Sequence, residues 1–411
     1  MNKQLGLQDP ESELNEFVDL AYDLLEKLKD EIVSPNNEKV LRTWKISEAA
    51  NLIGRSSTYI QQNEGENKLL GPPLVDETTG RRYYSLERIN FIRDKLECGI
   101  NRSANVPSTI LGLGIFKGGC TKTTSAIHLA QRAALKGHKT LLIDLDPQAS
   151  LSFLFGFLPE EAINGEGTLD PVLVDGAPLR DSIKPTYFTG IDLVRSSIAL
   201  QGTELSLYTD QYRSQNTDFD VLPIDRLSKA IDTLNNEYDL IIIDFPPNLG
   251  MLTLSALKAL NGLIIPITPS LLDYQSAVQF IDTFKELRKS SSYENPVDIF
   301  RIMVSRFTGN KEDQKILSLL QFTFKDHLLD NVMVQSEEIK KATSDFATVY
   351  ETVKPRGSKE TYRRALEHLN LANDEILELV YQLWERQAQE LNQVNLSTQN
   401  NKVEAKELLN A

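Results

Sequence analysis

The sequence predicts an α/β protein: a mostly parallel β-sheet with helices on both faces, preceded by a small α-rich module and an N-terminal helix. Three observations carry this reading. Short, nearly continuous apolar runs recur at 110–116, 140–144, 239–245, 263–267 and 300–305, the pattern of strands buried on both faces. Helix-period segments separate several of them, notably 123–136, closed by Gly137, and 252–260. A stretch of linker composition, GINRSANVPS at 99–108, sets this region apart from a shorter module upstream.

The elements follow in order. Residues 14–32 carry Leu14, Phe17, Val18, Ala21, Leu24, Leu25, Leu28 and Ile32 at spacings of three and four, one face of a helix that Pro35 and Asn36-Asn37 end. The same stripe fits heptads at 14, 21 and 28. It therefore reads equally as a packed helix or a dimerisation helix. The segment 1–38 holds 10 acidic and 3 basic residues, whereas 39–97 holds 10 basic and 8 acidic. The expected divisions are an N-terminal helix (1–38), a second module (39–98), a linker (99–108), the sheet domain (109–394) and a polar tail (395–411) expected to fray. A long helix from 360 to about 391 closes the sheet domain.

Composition narrows the function. The chain has 411 residues, 41% hydrophobic and 25% charged, with a net charge of −14. That balance excludes a chain coated in DNA-binding charge but leaves room for a local basic face. Two cysteines, Cys98 and Cys120, form no CxxC pair or disulfide framework, so a reducing cytosol is expected. No apolar run approaches the roughly 18 residues of a membrane span, and the first residues lack the layout of a secretion signal.

The chemistry concentrates in GIFKGGCTKTTSAIHLA at 114–130. An apolar strand runs into a Gly-rich loop, and Lys-Thr-Thr opens an amphipathic helix. Backbone N–H groups and a helix N-terminus would thus surround an anion. Gly118 and Gly119 allow the close backbone approach. Lys122 would reach the β- and γ-phosphates, and the Thr123 hydroxyl would bind Mg²⁺. The pattern G-x-x-x-x-G-K-[ST] itself fails twice, at Phe116 and at Thr121. Its surroundings compensate: Asp244 ends the apolar run YDLIIID as a Walker B carboxylate does. Asp144 and Asp146 stand at the end of another strand, where such sheets bind ligands.

In that order KGGCTKTT (117–124), DLDPQ (144–148) and DFPP (244–247) resemble the deviant Walker A ATPases, in particular the ParA-type partition proteins, over about residues 110 to 367. The resemblance implies a P-loop NTPase-like fold, with ATP and Mg²⁺ as cofactors. It implies a nucleotide cradle of Lys117, Gly118, Gly119, Cys120, Thr121, Lys122, Thr123 and Thr124. Lys117, five residues before Lys122, is the signature lysine, which in a homodimer crosses to the partner's nucleotide. A second cation there offsets charge developing in phosphoryl transfer. Asp146 is the first choice to position the attacking water. Asp144 is the second, with a possible place in the magnesium shell, and spacing does not rank the two. Asp244 holds Mg²⁺ through a water. Cys120 reads as a small filler, and Ser305 and Arg306 fall where base recognition is expected.

The second module, WKISEAANLIG through Leu96, resembles a MerR-type winged helix-turn-helix, as found before the ATPase domain in the large, SopA-like ParA group. Ile46, Ala49, Ala50 and Ile53 share a face of the first helix and Gly54 marks the turn. Ser56 or Ser57 caps the second helix. PPLVDETTGRRYY offers a wing about Thr79-Gly80. Arg55, Thr58, Tyr59, Arg81 and Arg82 are the expected operator contacts. Lys354, Arg356, Lys359, Arg363 and Arg364, against Glu360 alone, form a local +4 cluster. In ParA proteins basic residues of this region bind double-stranded DNA without sequence preference. Gln335 and Glu337 stand where an Arg is common, with Lys340 and Lys341 as substitutes. The implied partner is a ParB-type centromere-binding protein that stimulates a weak basal ATPase. The implied location is cytoplasmic and nucleoid-associated, away from membranes, with repression of the chain's own operon as a second role.

Three alternative functions share parts of this pattern. A MinD-like positioning ATPase needs a basic amphipathic C-terminus, and the C-terminal residues are polar and Asn/Gln-rich. An iron-protein-like ATPase needs cluster-bridging cysteines, which Cys98 and Cys120 are not placed to supply. A repressor that binds ATP only as a ligand shares both modules.

Overall fold

The computed structural model describes residues 39–157, 167–214, 221–289 and 296–409, with scattered residues between 14 and 27, and side chains up to Val394. The N-terminal helix expected over 14–32 lies largely outside the described residues. Of its expected apolar stripe, Leu14, Phe17, Val18, Ala21 and Leu24 are described, and all are exposed.

The chain first builds a compact helical module. Helices α1 (Ile46–Ile53) and α2 (Ser57–Asn63) meet at Gly54, whose φ of 78° only glycine adopts without strain. Ser56 caps α2 by accepting from the Tyr59 N–H. A narrow wing follows, with Val75 opposite Arg82 and the turn held by Asp76, and Trp44 pairs with Tyr84 at its base. Helix α3 (Leu86–Lys95) completes the module.

The sheet domain then alternates strand and helix. It comprises β1 (Thr109–Leu113), α4 (Lys122–Lys136), β2 (Thr140–Asp144), α5 (Ser150–Leu154), α6 (Asp170–Asp175), α7 (Leu179–Ser182), β3 (Lys184–Pro185) and β4 (Ile191–Val194). There follow α8 (Leu200–Ser214), α9 (Arg226–Asp232), β5 (Leu240–Asp244), α10 (Met251–Ala259), β6 (Gly262–Ile267) and α11 (Leu271–Leu287). Strand β7 (Ile299–Val304) and helices α12 (Lys311–Phe324), α13 (Glu337–Ser344) and α14 (Lys359–Leu409) end it. Among the described residues the sheet order is β3-β4-β2-β5-β1-β6-β7, parallel except for the β3–β4 edge pair. The fold class expected from the sequence is the one observed.

Two apolar clusters cover the sheet. One gathers α6 to α12 on one face. The other joins α4, α14 and the helical module into a single core. Arg93 of α3 stitches that seam, donating to the carbonyls of Leu52 and Leu135. The 99–108 connection is pinned too: Arg102 pairs with Asp239 and donates to the Asn236 carbonyl.

Helix α14 departs from expectation by running on to Leu409 through the segment expected to fray. No proline or glycine interrupts residues 359–409, and Trp384 anchors the helix on β1 by donating to Thr109 Oγ1 at 2.8 Å. Among the described residues no helix is long and apolar enough to cross a membrane.

Glycine in β1 has a packing reason. A Cβ on Gly112 would stand 2.6 Å from Leu260 Cδ2 and 2.9 Å from the Phe245 ring. Gly112→Ala is therefore expected to lower stability by about 1–3 kcal/mol, the usual cost of overpacking, read as a lower urea midpoint at unchanged slope. An unchanged midpoint would refute the close-packed reading.

Candidate functional site

Strand β1 lies between β5 and β6, and chain leaving its C-terminal end enters the Gly-rich loop. Sequential strands part to either side here, the crevice where open α/β sheets bind ligands. The loop ends at Thr121, the residue before α4, with φ of 65°. That left-handed conformation is costly for a β-branched side chain. The strain falls where the pattern has glycine.

Lys122 opens α4 and is 6% exposed. Its ammonium donates to the Lys117 carbonyl at 2.7 Å and so closes the loop on itself. Burial lowers its pKa, and the carboxylates of Asp244 and Asp146 work against that. Asp144 and Asp244 end adjacent strands in register. Both are fully buried. Burial pushes the Asp144 carboxyl up to about 7 and raises Asp244 well above the carboxylate range, with the Asp144 charge adding to it.

Their hydrogen bonding separates their roles. Asp144 accepts from the Asp146 N–H at 3.1 Å and from Ser152 through both N–H (2.9 Å) and Oγ (2.8 Å). It holds the β2–α5 turn and has no exposed oxygen to offer a water. Neither buried oxygen of Asp244 has a hydrogen-bond partner, although the Thr123 hydroxyl and Lys122 ammonium draw it toward the charged form. Two unpartnered carboxylate oxygens beside a threonine hydroxyl fit a hard, oxygen-seeking cation such as Mg²⁺. Asp146 is half-buried, binds the Gln148 N–H through one oxygen at 3.0 Å and lines the cavity.

Two cavities meet at the loop. One, of about 400 Å³, is lined by residues 118–124, Asp146, Ser150, Phe153, Pro247 and Arg306. The other, of about 470 Å³, is lined by Ser305, Arg306, Gln335, Ser336, Lys340 and Thr343, among others. Thr121, Thr124, Arg306 and Thr343 face both. The first suits phosphates and the second, less polar, suits a base and sugar. Ser305 and Arg306 line the second cavity. Ser336 and Thr343 carry no signal in the sequence, because only the fold brings them to the loop, and Gln335, which the sequence places with the basic surface, lines this cavity instead.

Lys117 does not project freely. It forms an ion pair with Asp273 at the start of α11. Burial alone would raise the Asp273 carboxyl. Lys117, with the Thr268 hydroxyl and N–H, reverses this and holds it at about 2. Cys120 donates to the same carboxylate, and its burial beside that charge pushes the thiol up to about 11, so it is unreactive filler. Asp273 carried one sequence signal: Ser270 three residues earlier, the cap of α11.

The DNA-contact candidates divide. Arg55, Thr58, Tyr59 and Arg81 are exposed on α2, its leading turn and the wing. Arg82 instead bonds Glu64 at 3.0 Å, a buried carboxylate that also takes Arg88 and the Tyr84 hydroxyl. It secures the wing before it can grip a phosphate. In the C-terminal cluster Lys354, Lys359, Arg363 and Arg364 are exposed. Arg356 departs from expectation: it pairs with Asp345 and donates to Thr352 Oγ1 at 2.6 Å. Local charge counting misses both because the acidic partners are remote in sequence or in a neighbouring turn.

Because Asp244 is buried without partners, Asp244→Asn is expected to stabilise the nucleotide-free chain by about 1–2 kcal/mol while abolishing Mg²⁺-dependent triphosphate hydrolysis. Urea unfolding and a phosphate-release assay check both. Loss of stability would show that the carboxylate is satisfied in the unliganded state.

A family model described as an AAA domain matches residues 108–298. SopA of Escherichia coli K12 is 32% identical over 86% of this chain and 92% of its own length. The sporulation initiation inhibitor protein Soj of Bacillus subtilis is 28% identical over 57% of this chain and 87% of its own. A solved structure described as a partition protein superposes with a TM-score of 0.62 over 90% of this chain and 99% of its own, at 17% identity, which speaks to the fold. With its sheet order, its Lys-Gly-Gly loop and similarity to SopA over 86% of its length, the chain belongs to the ParA-type partition ATPases, in the SopA-like group.

Proposed function

We propose that the chain is a DNA-segregation ATPase that dimerises on ATP, binds DNA without sequence preference in that state, and hydrolyses ATP under stimulation by a ParB-type partner. The observation that carries this is Lys122, buried at the loop near the Asp244 and Asp146 carboxylates, with Lys117 five residues upstream.

The residues support a division of labour. Gly118 to Thr124 present backbone N–H groups and the α4 N-terminus to the phosphates. Lys122, already desolvated, neutralises the β- and γ-phosphates without further reorganisation. Thr123 and Asp244 would hold Mg²⁺, which when bound screens the triphosphate charge. Asp146, partly exposed at the cavity rim, orients the attacking water, and Asp144 holds the turn that carries it. Lys117 is paired within its own chain, so it must leave Asp273 before it can serve a partner's nucleotide. This supports a slow basal rate that dimerisation and a partner raise.

Two DNA surfaces serve two states. Lys354, Lys359, Arg363 and Arg364 are exposed for phosphate contact by the ATP-bound dimer. Arg55, Thr58, Tyr59 and Arg81 of the winged module are exposed for the operator, consistent with repression of the chain's own operon. A cytoplasmic, nucleoid-associated location follows from both.

The decisive measurement is the ATPase rate of the full chain alone, with nonspecific duplex DNA, and with a ParB-type protein. Stimulation by both together is expected, and stimulation by neither removes the segregation reading. Lys117→Gln should still bind ATP but turn over about 100-fold more slowly. Four phosphate contacts per protomer predict that ATP-dependent DNA binding weakens at least roughly 100-fold between 50 and 200 mM salt. Salt-insensitive binding would exclude the basic surface.

A further inference from the structure

Lys39 precedes the winged module, yet its side chain enters the sheet domain. The side chain is 10% exposed. Its ammonium donates to the carbonyls of Leu154 (2.9 Å) and Phe346 (2.6 Å) and to the Tyr187 hydroxyl (2.9 Å). It also pairs with Glu351 at 3.0 Å and lies 4.3 Å from the centre of the Tyr187 ring.

Two of these partners belong to or adjoin the walls of the two cavities. Leu154 ends α5, whose Ser150 and Phe153 line the phosphate side. Phe346 follows α13, whose Thr343 faces both cavities, and its ring meets Phe153 edge-on at 4.5 Å. Phe346 is held at φ of 50°, a left-handed conformation that a non-glycine residue keeps only when its surroundings insist. Glu351 also accepts from Gln131 of α4 at 3.1 Å. One ammonium thus gathers α5 and the segment after α13, and through Glu351 reaches α4.

The same short strand continues into the DNA module. Arg42 donates to the Thr352 carbonyl at 2.9 Å and pairs with Glu48 of α1. Trp44 then exchanges two backbone hydrogen bonds with Tyr84, at 2.9 and 3.0 Å.

We propose that Lys39 is a positioning residue of the nucleotide site, supplied by the strand that leads into the winged module, and that residues 39–44 couple nucleotide occupancy to that module. This rests on the ATP-site reading above. The argument is geometric: nucleotide bound between α5 and α13 sets the spacing of the two carbonyls that Lys39 bridges. Whatever the ligand does to that spacing acts on Lys39, and reciprocally, since coupling between sites is symmetric in free energy.

The test uses the full chain with MgATP. Lys39→Met is expected to raise KM for ATP about 10-fold with kcat within about threefold of wild type. It should also abolish the change in hydrogen-exchange protection of α1 and α2 that a non-hydrolysable ATP analogue produces. Lys39→Met alone strands the Glu351 carboxylate and is expected to lower Tm, so the double variant Lys39→Met/Glu351→Gln separates the roles. Recovery of Tm with KM still raised and the exchange response still absent supports the proposal. Recovery of KM and of the response together with Tm reduces Lys39 to a fold-stabilising residue and overturns it. An unchanged KM in Lys39→Met also overturns it. Wild-type chain that binds no ATP removes the functional reading, and this inference with it.

Discussion

The site depends on charge held out of water at the C-terminal ends of β2 and β5. Register places the Asp144 and Asp244 carboxylates side by side, and the Lys122 ammonium is buried close by. Desolvated charges of like sign at neighbouring strand ends are unfavourable until a cation and hydrogen bonds compensate them. Asp144 has those bonds and Asp244 lacks them. The unliganded chain therefore carries a local electrostatic deficit where the chemistry is expected. A strained Thr121 adds to it. Such concentrations of unsatisfied charge and backbone strain mark functional sites rather than folding optima.

The same economy governs cations elsewhere. Lys117, Arg82 and Arg356 all carry the charge that phosphate recognition wants, and all are bonded to carboxylates of the same chain. For Arg82 and Arg356 the pairing builds structure: a wing fixed to the end of α2, and a loop fixed to α13. For Lys117 it holds the ammonium against the start of α11.

The helical module is not an appendage. It shares one apolar cluster with α4 and α14, and Arg93, Arg42 and Lys39 bind backbone carbonyls across the seam. A buried cation satisfied by carbonyls resists sliding, since any displacement leaves both charge and carbonyls unpaired. The cavity walls and the base of the wing are thus tied to one strand, residues 39–44.

What the amino-acid order determined alone is whatever local spacing encodes. The apolar runs located β1, β2, β5, β6 and β7 to within a few residues, because strands buried on both faces need continuous apolar sequence. Gly118-Gly119, Lys122 and Thr123 were legible because a loop that wraps an anion needs those residues in succession. Gly54 and the pair Ser56-Ser57 revealed α2 and its turn, as a turn glycine and capping hydroxyls do, and the structure assigns the cap to Ser56. Short β3 and β4 were not legible, since pairing with a neighbour rather than composition makes them strands. Only the tertiary structure decided which carboxylate remains unpartnered, that Lys117 rests on Asp273, that Arg82 and Arg356 are engaged, and that Lys39 reaches the nucleotide walls. Those outcomes turn on which remote groups meet in a medium of low dielectric, where a partner a hundred residues away matters more than the nearest neighbour in sequence.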